Sequence, residues 1–308
     1  MAVKWMEYVK VIVTRPIFLY LICFGGVALM VDYPLFKKNF LDQTMNRLSP
    51  PINYFKDFAN PKDYLSDFKL RQCIYYHQKV VDFYDFERPA AYAMMGYCYE
   101  HLGESQKALK AYQSALDINP NDFWSYYNMG VISYQRGSYQ KAADYFKEAL
   151  LKDVNLNVYV LYKSKMYTDI RVSNGSHSDY DYFQGLRQGH VNSYIYLMES
   201  LAKAEDYERL PELAVVAIKE NLGEDDIFYY YAGRAEFSQK SYDKAVEFLR
   251  LSIEKNPNNF EAYLYLGLTM RAVGKEDIAL KLLKTSENIR QMRGSYIEHR
   301  LSSGVRFF

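Results

Sequence analysis

One pattern occurs repeatedly in this sequence at an interval of 34 residues. "GYCYEHLGESQKALKAYQSALDINPND" runs from Gly96 to Asp122, and "GVISYQRGSYQKAADYFKEALLKDVN" begins at Gly130. Small and aromatic residues return in the same order, and the pattern is typical of two helices joined by a turn. Self-similarity at such a period is the signature of architectures in which each unit buries its apolar face only by stacking on its neighbours. The repeat therefore predicts an extended array of helices.

Numbering each unit from its first residue shows which positions recur. Small residues stand at positions 8, 20 and 27, large residues at 4, 11 and 24, glycine at 15 and proline at 32. The unit that starts at Pro89 carries Tyr92, Gly96, Tyr99, Gly103, Ala108, Tyr112, Ala115 and Pro120. Later units carry Tyr126, Gly130, Gly137, Ala142, Phe146 and Ala149; Tyr229, Gly233, Ala245, Leu249 and Pro257; and Tyr263, Gly267, Gly274, Ala279 and Leu283. The small residues let two antiparallel helices approach closely, and proline ends the second helix because it cannot donate a helical hydrogen bond.

This signature resembles the tetratricopeptide repeat family. Four units follow it well, over residues 89–122, 123–156, 226–259 and 260–293. The resemblance implies an all-α fold, in which helix-turn-helix repeats form a right-handed α-solenoid over residues 63–293. Two further stretches, 63–88 and 191–225, are similar to degenerate units.

The degenerate units and the segment between the regular pairs depart from the signature. In 63–88, "CIYYHQKVV" puts Cys73 and Val80 at small positions, and in 191–225 Pro211 stands early in the second helix. The latter unit keeps its register through Tyr194, Leu197, Met198, Leu201, Ala214 and Ala217. Residues 157–190 break the register, because a helical pattern is followed by "RVSNGSHSDYDYFQGLRQGH", which is rich in turn residues. We expect an inserted helix and loop there.

The amino-terminal segment, residues 1–36, predicts a membrane anchor. "PIFLYLICFGGVALMVDYPLF", residues 16–36, would span about 31 Å as a helix, close to the hydrocarbon thickness of a bilayer. The residues before it have the pattern of a short interfacial helix. We expect a single transmembrane helix in contact with the bilayer. A cleaved signal peptide and a buried helix of a soluble domain are the alternatives.

The orientation of this anchor rests on nearly balanced charges. Three basic residues flank each side of the span, Lys4, Lys10 and Arg15 before it and Lys37, Lys38 and Arg47 after it. The positive-inside rule therefore gives almost no preference for either orientation. The free amino terminus favours an amino-terminus-in topology, with the array outside the cytoplasm. We expect residues 37–62 to form a linker and residues 294–308 a carboxyl-terminal tail.

Charge and motifs exclude several classes of function. Lys and Arg total 38 against 37 for Asp and Glu, so the chain has no electrostatic footprint for nucleic acid. No phosphate loop, dinucleotide fingerprint or nucleophile elbow is present, so we predict no cofactor, no small-molecule substrate and no enzyme activity. His177, Asp179 and Asp181 lack a second group of ligands, so we predict no metal site. Cys73 and Cys98 stand among apolar helix residues and are expected to be buried thiols without a disulfide framework.

The family resemblance implies that first helices line a concave inner face on which protein partners dock. By repeat position, the candidate partner-binding residues are Tyr97, Glu100, Trp124, Tyr127, Asn128, Tyr134, Tyr230, Arg234, Phe237 and Arg271. Tyrosine, tryptophan and arginine dominate interface hot spots. We expect the inner face to carry an exposed aromatic stripe around Tyr97, Trp124, Tyr127 and Asn128. Ala93 and Tyr97 replace the lysine and asparagine of a chaperone-binding carboxylate clamp, so binding of chaperone tails is not expected.

The sequence therefore predicts a non-catalytic scaffold that is anchored in a membrane and assembles protein partners on the concave face of its array. An accessory or assembly subunit of an envelope enzyme or secretion complex is the main alternative. A soluble periplasmic chaperone released by cleavage is a third. The identity of the partner does not follow from the sequence.

Overall fold

The computed structural model describes residues 67–83, 88–152, 178–220 and 222–294, together with Ile297. These residues form eleven helices, and no strand occurs among them. The helices are α1 Asp67–Phe83, α2 Arg88–His101, α3 Ser105–Ile118, α4 Phe123–Gln135, α5 Tyr139–Leu150, α6 Ser178–Lys203, α7 Leu210–Lys219, α8 Asp225–Ser238, α9 Tyr242–Lys255, α10 Phe260–Ala272 and α11 Glu276–Arg293.

Consecutive helices form hairpins that stack along the chain. The pairs α2–α3, α4–α5, α8–α9 and α10–α11 are each joined by a turn of three residues, and α6–α7 by six. The two helices of each pair pack together, α1 packs on α2, and the first helices of neighbouring units also contact one another. The prediction of an all-α array of helical repeats is therefore confirmed. The surface formed by the first helices, α2, α4, α6, α8 and α10, is called the inner face below.

A glycine on the first helix sets the spacing within each regular hairpin. A Cβ built on Gly96 would lie 2.7 Å from the ring of Tyr112, and one built on Gly233 would lie 2.6 Å from Leu249. Glycine at position 8 thus faces the large side chain at position 24, as predicted. Cβ atoms do not approach other atoms this closely, so glycine alone lets the helices meet at this distance. The alanines at position 20 are fully buried in the same hairpins: Ala108, Ala142, Ala245 and Ala279.

The turn within each hairpin requires a left-handed backbone conformation at position 15. Gly103, Gly137 and Gly274 have φ values of 74°, 73° and 79° there. Lys240 and Glu205 occupy the same position in the other two units, with φ values of 63° and 60°. A side chain in this region costs about 1–2 kcal/mol. The shared conformation shows that the unit at 191–225 keeps the register of the others.

Serines at position 27 tie the second helix of a hairpin to the start of the first. The hydroxyl of Ser252 donates to the backbone carbonyl of Asp226 at 2.7 Å, and that of Ser286 donates to the carbonyl of Phe260 at 2.9 Å. Both serines are buried. Because each hydroxyl has a partner, a polar atom is accommodated where earlier units carry alanine.

Helix α6 is longer than the repeat requires, and it corrects one expectation from the sequence. The prediction of a loop that continues through residue 190 is wrong for residues 178–190, because these residues belong to this 26-residue helix. A Cβ on Gly189 would lie 2.6 Å from the indole of Trp124. Turn-forming residues indicate a loop only from local preference, whereas contacts across the stack stabilise the helix despite its glycines.

The unit at 191–225 reverses the size pattern of the regular hairpins. Met198 stands at position 8 and Ala214 at position 24, and both are fully buried in one apolar cluster. The regular units carry glycine at the first position and a large side chain at the second. Helix α7 has only ten residues, and Pro211 lies in its first turn, as expected. The large residue has therefore moved from the second helix to the first.

A disulfide joins α1 to α2. Cys73 and Cys98 are at most 1% exposed and are covalently bonded to each other. The expectation of separate buried thiols is wrong in this respect, because sequence spacing does not reveal that the packing of α1 on α2 brings the two side chains together. His77 follows Cys73 by one turn, and its Nδ1 lies 2.8 Å from the Cys73 carbonyl oxygen. Burial lowers the pKa of His77 from 6.5 to about 4.

Several expectations fall outside the described residues. They concern the anchor at 1–36, the linker at 37–62, the inserted helix between 157 and 177, and most of the tail at 294–308. Among the helices that the structure describes, none has the length and apolar character needed to cross a membrane. The membrane anchor and its orientation stay predictions.

The turn geometry predicts opposite effects for two substitutions at position 15. Lys240→Gly should raise the free energy of unfolding by about 0.5–1 kcal/mol, because it relieves left-handed strain at some cost in chain entropy. Gly274→Ala should lower it by about 1 kcal/mol. A Cβ at Gly274 meets nothing within 4 Å, so backbone strain is the main change in the folded state. Urea unfolding followed by circular dichroism measures both, and shifts of the same sign would contradict a shared turn.

The buried imidazole of His77 predicts a loss of stability in mild acid. The unfolded chain takes up a proton below pH 6.5, while the folded chain resists protonation of His77 until about pH 4. Stability is therefore full above pH 6.5 and falls as the pH drops toward 4. Between pH 7 and 5 the loss should be about 2 kcal/mol for the amino-terminal helices. Denaturant titrations at both pH values measure it.

His77→Gln is the matched control for this effect. The variant keeps a polar, uncharged side chain and removes the titrating group, so the difference between the two pH values should shrink by about the same 2 kcal/mol. An unchanged pH dependence in His77→Gln would assign the acid sensitivity to other groups.

Candidate protein-binding surface

The predicted partner-binding residues divide into a buried set and a partly exposed set. Six of them are at most 9% exposed, namely Tyr97, Glu100, Trp124, Tyr127, Asn128 and Tyr230. Tyr134, Arg234 and Phe237 are partly exposed and Arg271 is exposed. The expectation of an exposed aromatic stripe at Trp124 and Tyr127 is therefore wrong. A partner could reach those two side chains only if the stack opened.

Trp124 is enclosed by its own helix and by α6. Its ring meets Phe123 and Tyr127 edge-on, with centroid distances of 4.9 and 5.5 Å. Gly189 lies against the indole from α6, and a side chain there would displace it. The repeat position alone places Trp124 on the inner face. The extra length of α6 before residue 191 explains why it is covered.

The aromatic contacts continue from α4 into the next two helices. Tyr196 on α6 stacks on Phe146 with a centroid distance of 4.9 Å and an interplanar angle of 8°. It also meets Tyr127 and Tyr134 edge-on, at 6.2 and 5.4 Å. Each such pair contributes about 0.5–1.5 kcal/mol beyond its buried area. In this part of the array the tyrosines therefore stabilise the stacking of units.

Glu199 is the centre of a polar cluster between α6 and α8. Its Oε2 accepts hydrogen bonds from the Tyr231 hydroxyl at 3.0 Å and from Nη1 of Arg234 at 3.3 Å. Its Oε1 lies 3.7 Å from Nζ of Lys203. The Glu199 and Arg234 side chains are only 12% and 14% exposed. A carboxylate this deeply buried needs such partners, because an unpaired buried charge is strongly destabilising.

Arg234 also contacts the following unit. Its guanidinium carbon lies 5.5 Å from the ring centroid of Tyr265 on α10, a cation–π contact, and Nη1 lies 3.5 Å from the Tyr230 hydroxyl. Burial raises the pKa of Tyr230 and Tyr265, so both hydroxyls stay neutral at physiological pH. Three inner helices, α6, α8 and α10, therefore fix the orientation of the guanidinium.

Partly exposed aromatic and basic side chains continue around this arginine. We call them the inner strip, which consists of Lys203, Arg234, Phe237, Tyr265 and Arg271. The Phe237 and Tyr265 rings are 5.8 Å apart. Arg271 has the same repeat position on α10 as Phe237 on α8, and its side chain is 47% exposed. The strip thus presents two aromatic rings between cationic groups.

Sequence reasoning missed three members of this region: Glu199, Lys203 and Tyr265. Glu199 occupies position 9 of the unit at 191–225, the position that Arg234 occupies in the next unit. Applying the repeat register to the degenerate unit would therefore have found it. Tyr265 stands at position 6, for which the signature specifies no residue type, so only the structure reveals its contact with Arg234.

The inner strip consists of side-chain types that are common in protein interfaces. Within the ranges that the structure describes, no three His, Cys, Asp or Glu side chains are grouped to hold a metal ion. Guanidinium groups and aromatic faces are the side chains that contribute most to protein interfaces. The strip can therefore hold aromatic, apolar or acidic side chains of another protein.

Sequence comparisons match the same repeats to models of a known family. Family models described as tetratricopeptide repeat match residues 89–122, 111–143, 212–260 and 248–281. The matched stretches cover the first regular unit of each pair completely and the second in part, together with most of the second helix of the degenerate unit before the later pair. They do not extend to the amino-terminal 88 residues.

Two curated relatives carry the same repeat. Tetratricopeptide repeat protein 6 of Homo sapiens is 39% identical over 66 residues, which is 21% of this chain and 12% of that protein. A TPR repeat-containing protein of Methanocaldococcus jannaschii is 23% identical over 186 residues, 50% of this chain and 33% of that protein. The matches thus span an eighth and a third of the relatives' lengths.

Two solved structures align with much of this chain at low sequence identity. The crystal structure of YrrB, described as a TPR protein with an unusual peptide-binding site, is 17% identical, covers 74% of this chain and 96% of its own, and has a TM-score of 0.48. The crystal structure of MamA is 19% identical, covers 68% and 96%, and also has a TM-score of 0.48. The family models, the curated relatives and the observed helical hairpins together support the tetratricopeptide repeat family for this array.

Proposed function

We propose that this chain is a non-catalytic scaffold that binds a protein partner on its inner strip and holds it at a membrane. The inner strip carries this proposal, because it combines partly exposed aromatic rings with cationic side chains on the face of the array where the first helices meet. Interface hot spots are enriched in these residue types. A scaffold needs no reactive centre, and the shifted pKa values of Tyr230 and Tyr265 arise from burial in helix packing.

The strip is already ordered without a partner. Arg234 is bound by Glu199 and lies against Tyr265, so its side chain has few alternative rotamers to lose on binding. Ordering a flexible side chain costs about 0.5–1.5 kcal/mol of binding free energy. A site whose central arginine is fixed in advance avoids that cost. The bound geometry of Arg234 therefore favours recognition of a partner of defined shape.

The extent of the strip favours a protein rather than a small molecule. On α10, Leu264 and Leu268 are partly exposed at one-turn intervals before Arg271. Phe237 adds a partly exposed aromatic ring on α8. An extended peptide or a helix lying across these helices would contact all of them, as in known helix-in-groove recognition.

The membrane part of the proposal rests on the amino-terminal sequence. Residues 16–36 form an apolar stretch of 21 residues, long enough to cross a bilayer as a helix. A partner bound to the array would then be confined near the membrane surface, which raises its effective concentration toward other membrane components. Assembly of a complex at the membrane follows from this arrangement.

The Glu199–Arg234 pair predicts a measurable coupling. Glu199→Ala leaves the largely buried guanidinium of Arg234 without its carboxylate and should destabilise the array by about 3 kcal/mol. Arg234→Ala leaves the Glu199 carboxylate without that guanidinium and should cost a similar amount. The double variant should be about 1–3 kcal/mol more stable than the sum of the single effects predicts. Denaturant unfolding of the four proteins measures the coupling, and purely additive effects would show that the two charges do not interact.

Partner binding is tested with a variant of the exposed strip residues. We expect Phe237→Ala with Arg271→Ala to weaken binding by about 2 kcal/mol or more, roughly thirtyfold, because it removes two anchor side chains from the inner strip. The full chain, with an affinity tag, is purified from detergent-solubilised membranes of its own cells. Quantitative mass spectrometry then compares the proteins retained by the variant and by the wild type.

The matched control changes two exposed residues on second helices. Val216→Ala with Arg250→Ala removes similar side chains from α7 and α9, and it should retain the wild-type set of partners. Circular dichroism should be the same for all three proteins. If the strip variant keeps the partners at wild-type levels, the inner strip is not the binding surface.

A further inference from the structure

The disulfide between Cys73 and Cys98 bears on where the array folds. The two residues lie on different helices, α1 and α2, and are separated by 25 positions in the chain. Their side chains are 1% and 0% exposed. The bond therefore lies inside the interface between the first described helix and the rest of the array.

The bond lies among side chains that α1 buries against α2. The described buried residues of α1 include Leu70, Cys73, His77 and Val81, at spacings of three and four. On the other side of the interface, Ala91 and Met95 of α2 are buried. The bond therefore adds a covalent attachment to this packed interface between α1 and α2.

Burial of both sulfur atoms indicates a structural disulfide rather than a regulatory one. Thiol–disulfide exchange requires a thiolate to attack a sulfur atom along the S–S axis, and buried sulfur atoms are closed to such an attack in the folded state. Disulfides that switch are accessible, whereas this one is not. The bond must therefore form during folding and then persist.

We infer that the array folds and works in an oxidising compartment, where the Cys73–Cys98 bond fastens α1 to the repeats. Formation of the bond transfers two electrons from the two thiols to a disulfide-bonded oxidant. One thiolate of this chain attacks the oxidant's disulfide to give a mixed disulfide, and the second thiolate then displaces the oxidant from it. The S–S bond forms in this chain, and the oxidant leaves as a dithiol with the two protons. Such bonds accumulate in extracytoplasmic and secretory compartments and are rare in a reducing cytoplasm.

This inference also sets the orientation of the proposed anchor. If residues 16–36 span a membrane, the array at 67–294 lies on its oxidising side, and the amino terminus lies on the cytoplasmic side. The weak preference derived from the free amino terminus is the same. The two arguments are independent, because one uses the amino terminus and the other uses the cysteines.

The redox state of the two cysteines in the cell tests the inference directly. Native cells are quenched in acid, and their proteins are alkylated with N-ethylmaleimide in denaturant without reductant. Trypsin should then release residues 72–79 and 80–107, each with one cysteine, as one cross-linked species without the alkyl label. Recovery of both peptides separately with the label would overturn the inference.

A second measurement tests the role of the bond in holding α1. The full chain is unfolded in denaturant with or without reductant and refolded, and its thermal melting is recorded beside that of the Cys73→Ala, Cys98→Ala variant. Reduction should lower the melting temperature of the wild type by about 5 °C or more, since a cross-link of this loop length is strongly stabilising. The variant should not respond to reductant. Equal responses of the two proteins would show that the bond does not fasten α1.

Discussion

The contact between a glycine on one helix and a large side chain on the next is the constraint on which the regular units depend. Gly96 against Tyr112 and Gly233 against Leu249 hold their hairpins at a distance that no side chain on the first helix would allow. Once that distance is set, the alanines at position 20 are enclosed and each unit offers an apolar side to its neighbour. The stack then grows by adding similar interfaces between neighbouring units, so its stability is approximately a sum of local terms.

Much of this fold could be predicted from the sequence, because the constraint is local. Positions 8, 20 and 24 lie within one hairpin, so their spacing in the chain reflects their contact in space. The prediction of a loop at 178–190 was wrong because the contact that stabilises the helix there is not local. Gly189 looks like a helix breaker in its own segment, yet its role is to meet Trp124, more than 60 residues earlier. A single sequence contains no sign of that contact.

The binding surface was harder to predict than the fold for the same reason. Repeat position indicates which helix face a residue occupies, but not what the next unit places over it. Trp124 and Tyr127, at positions 2 and 5 of their unit, are covered by α6, whereas Phe237 is partly exposed and Arg271 is exposed at position 12 of theirs. The polar cluster at Glu199 could be inferred in part, since its repeat position matches that of Arg234. The disulfide could not, because it depends on how α1 packs against α2.

The reversed pair in the unit at 191–225 has a consequence for how this array can evolve. In the regular units a glycine at position 8 lies against a bulky side chain at position 24, so a second helix from one regular unit suits the first helix of another. In the unit at 191–225 the bulky residue is Met198 on the first helix, and Ala214 stands on the second. With the facing of positions 8 and 24 that the regular hairpins show, joining α6 to a regular second helix would pair two bulky residues, and joining a regular first helix to α7 would pair two small ones. The first combination overpacks the hairpin and the second leaves a cavity, so α6 and α7 have to be exchanged together.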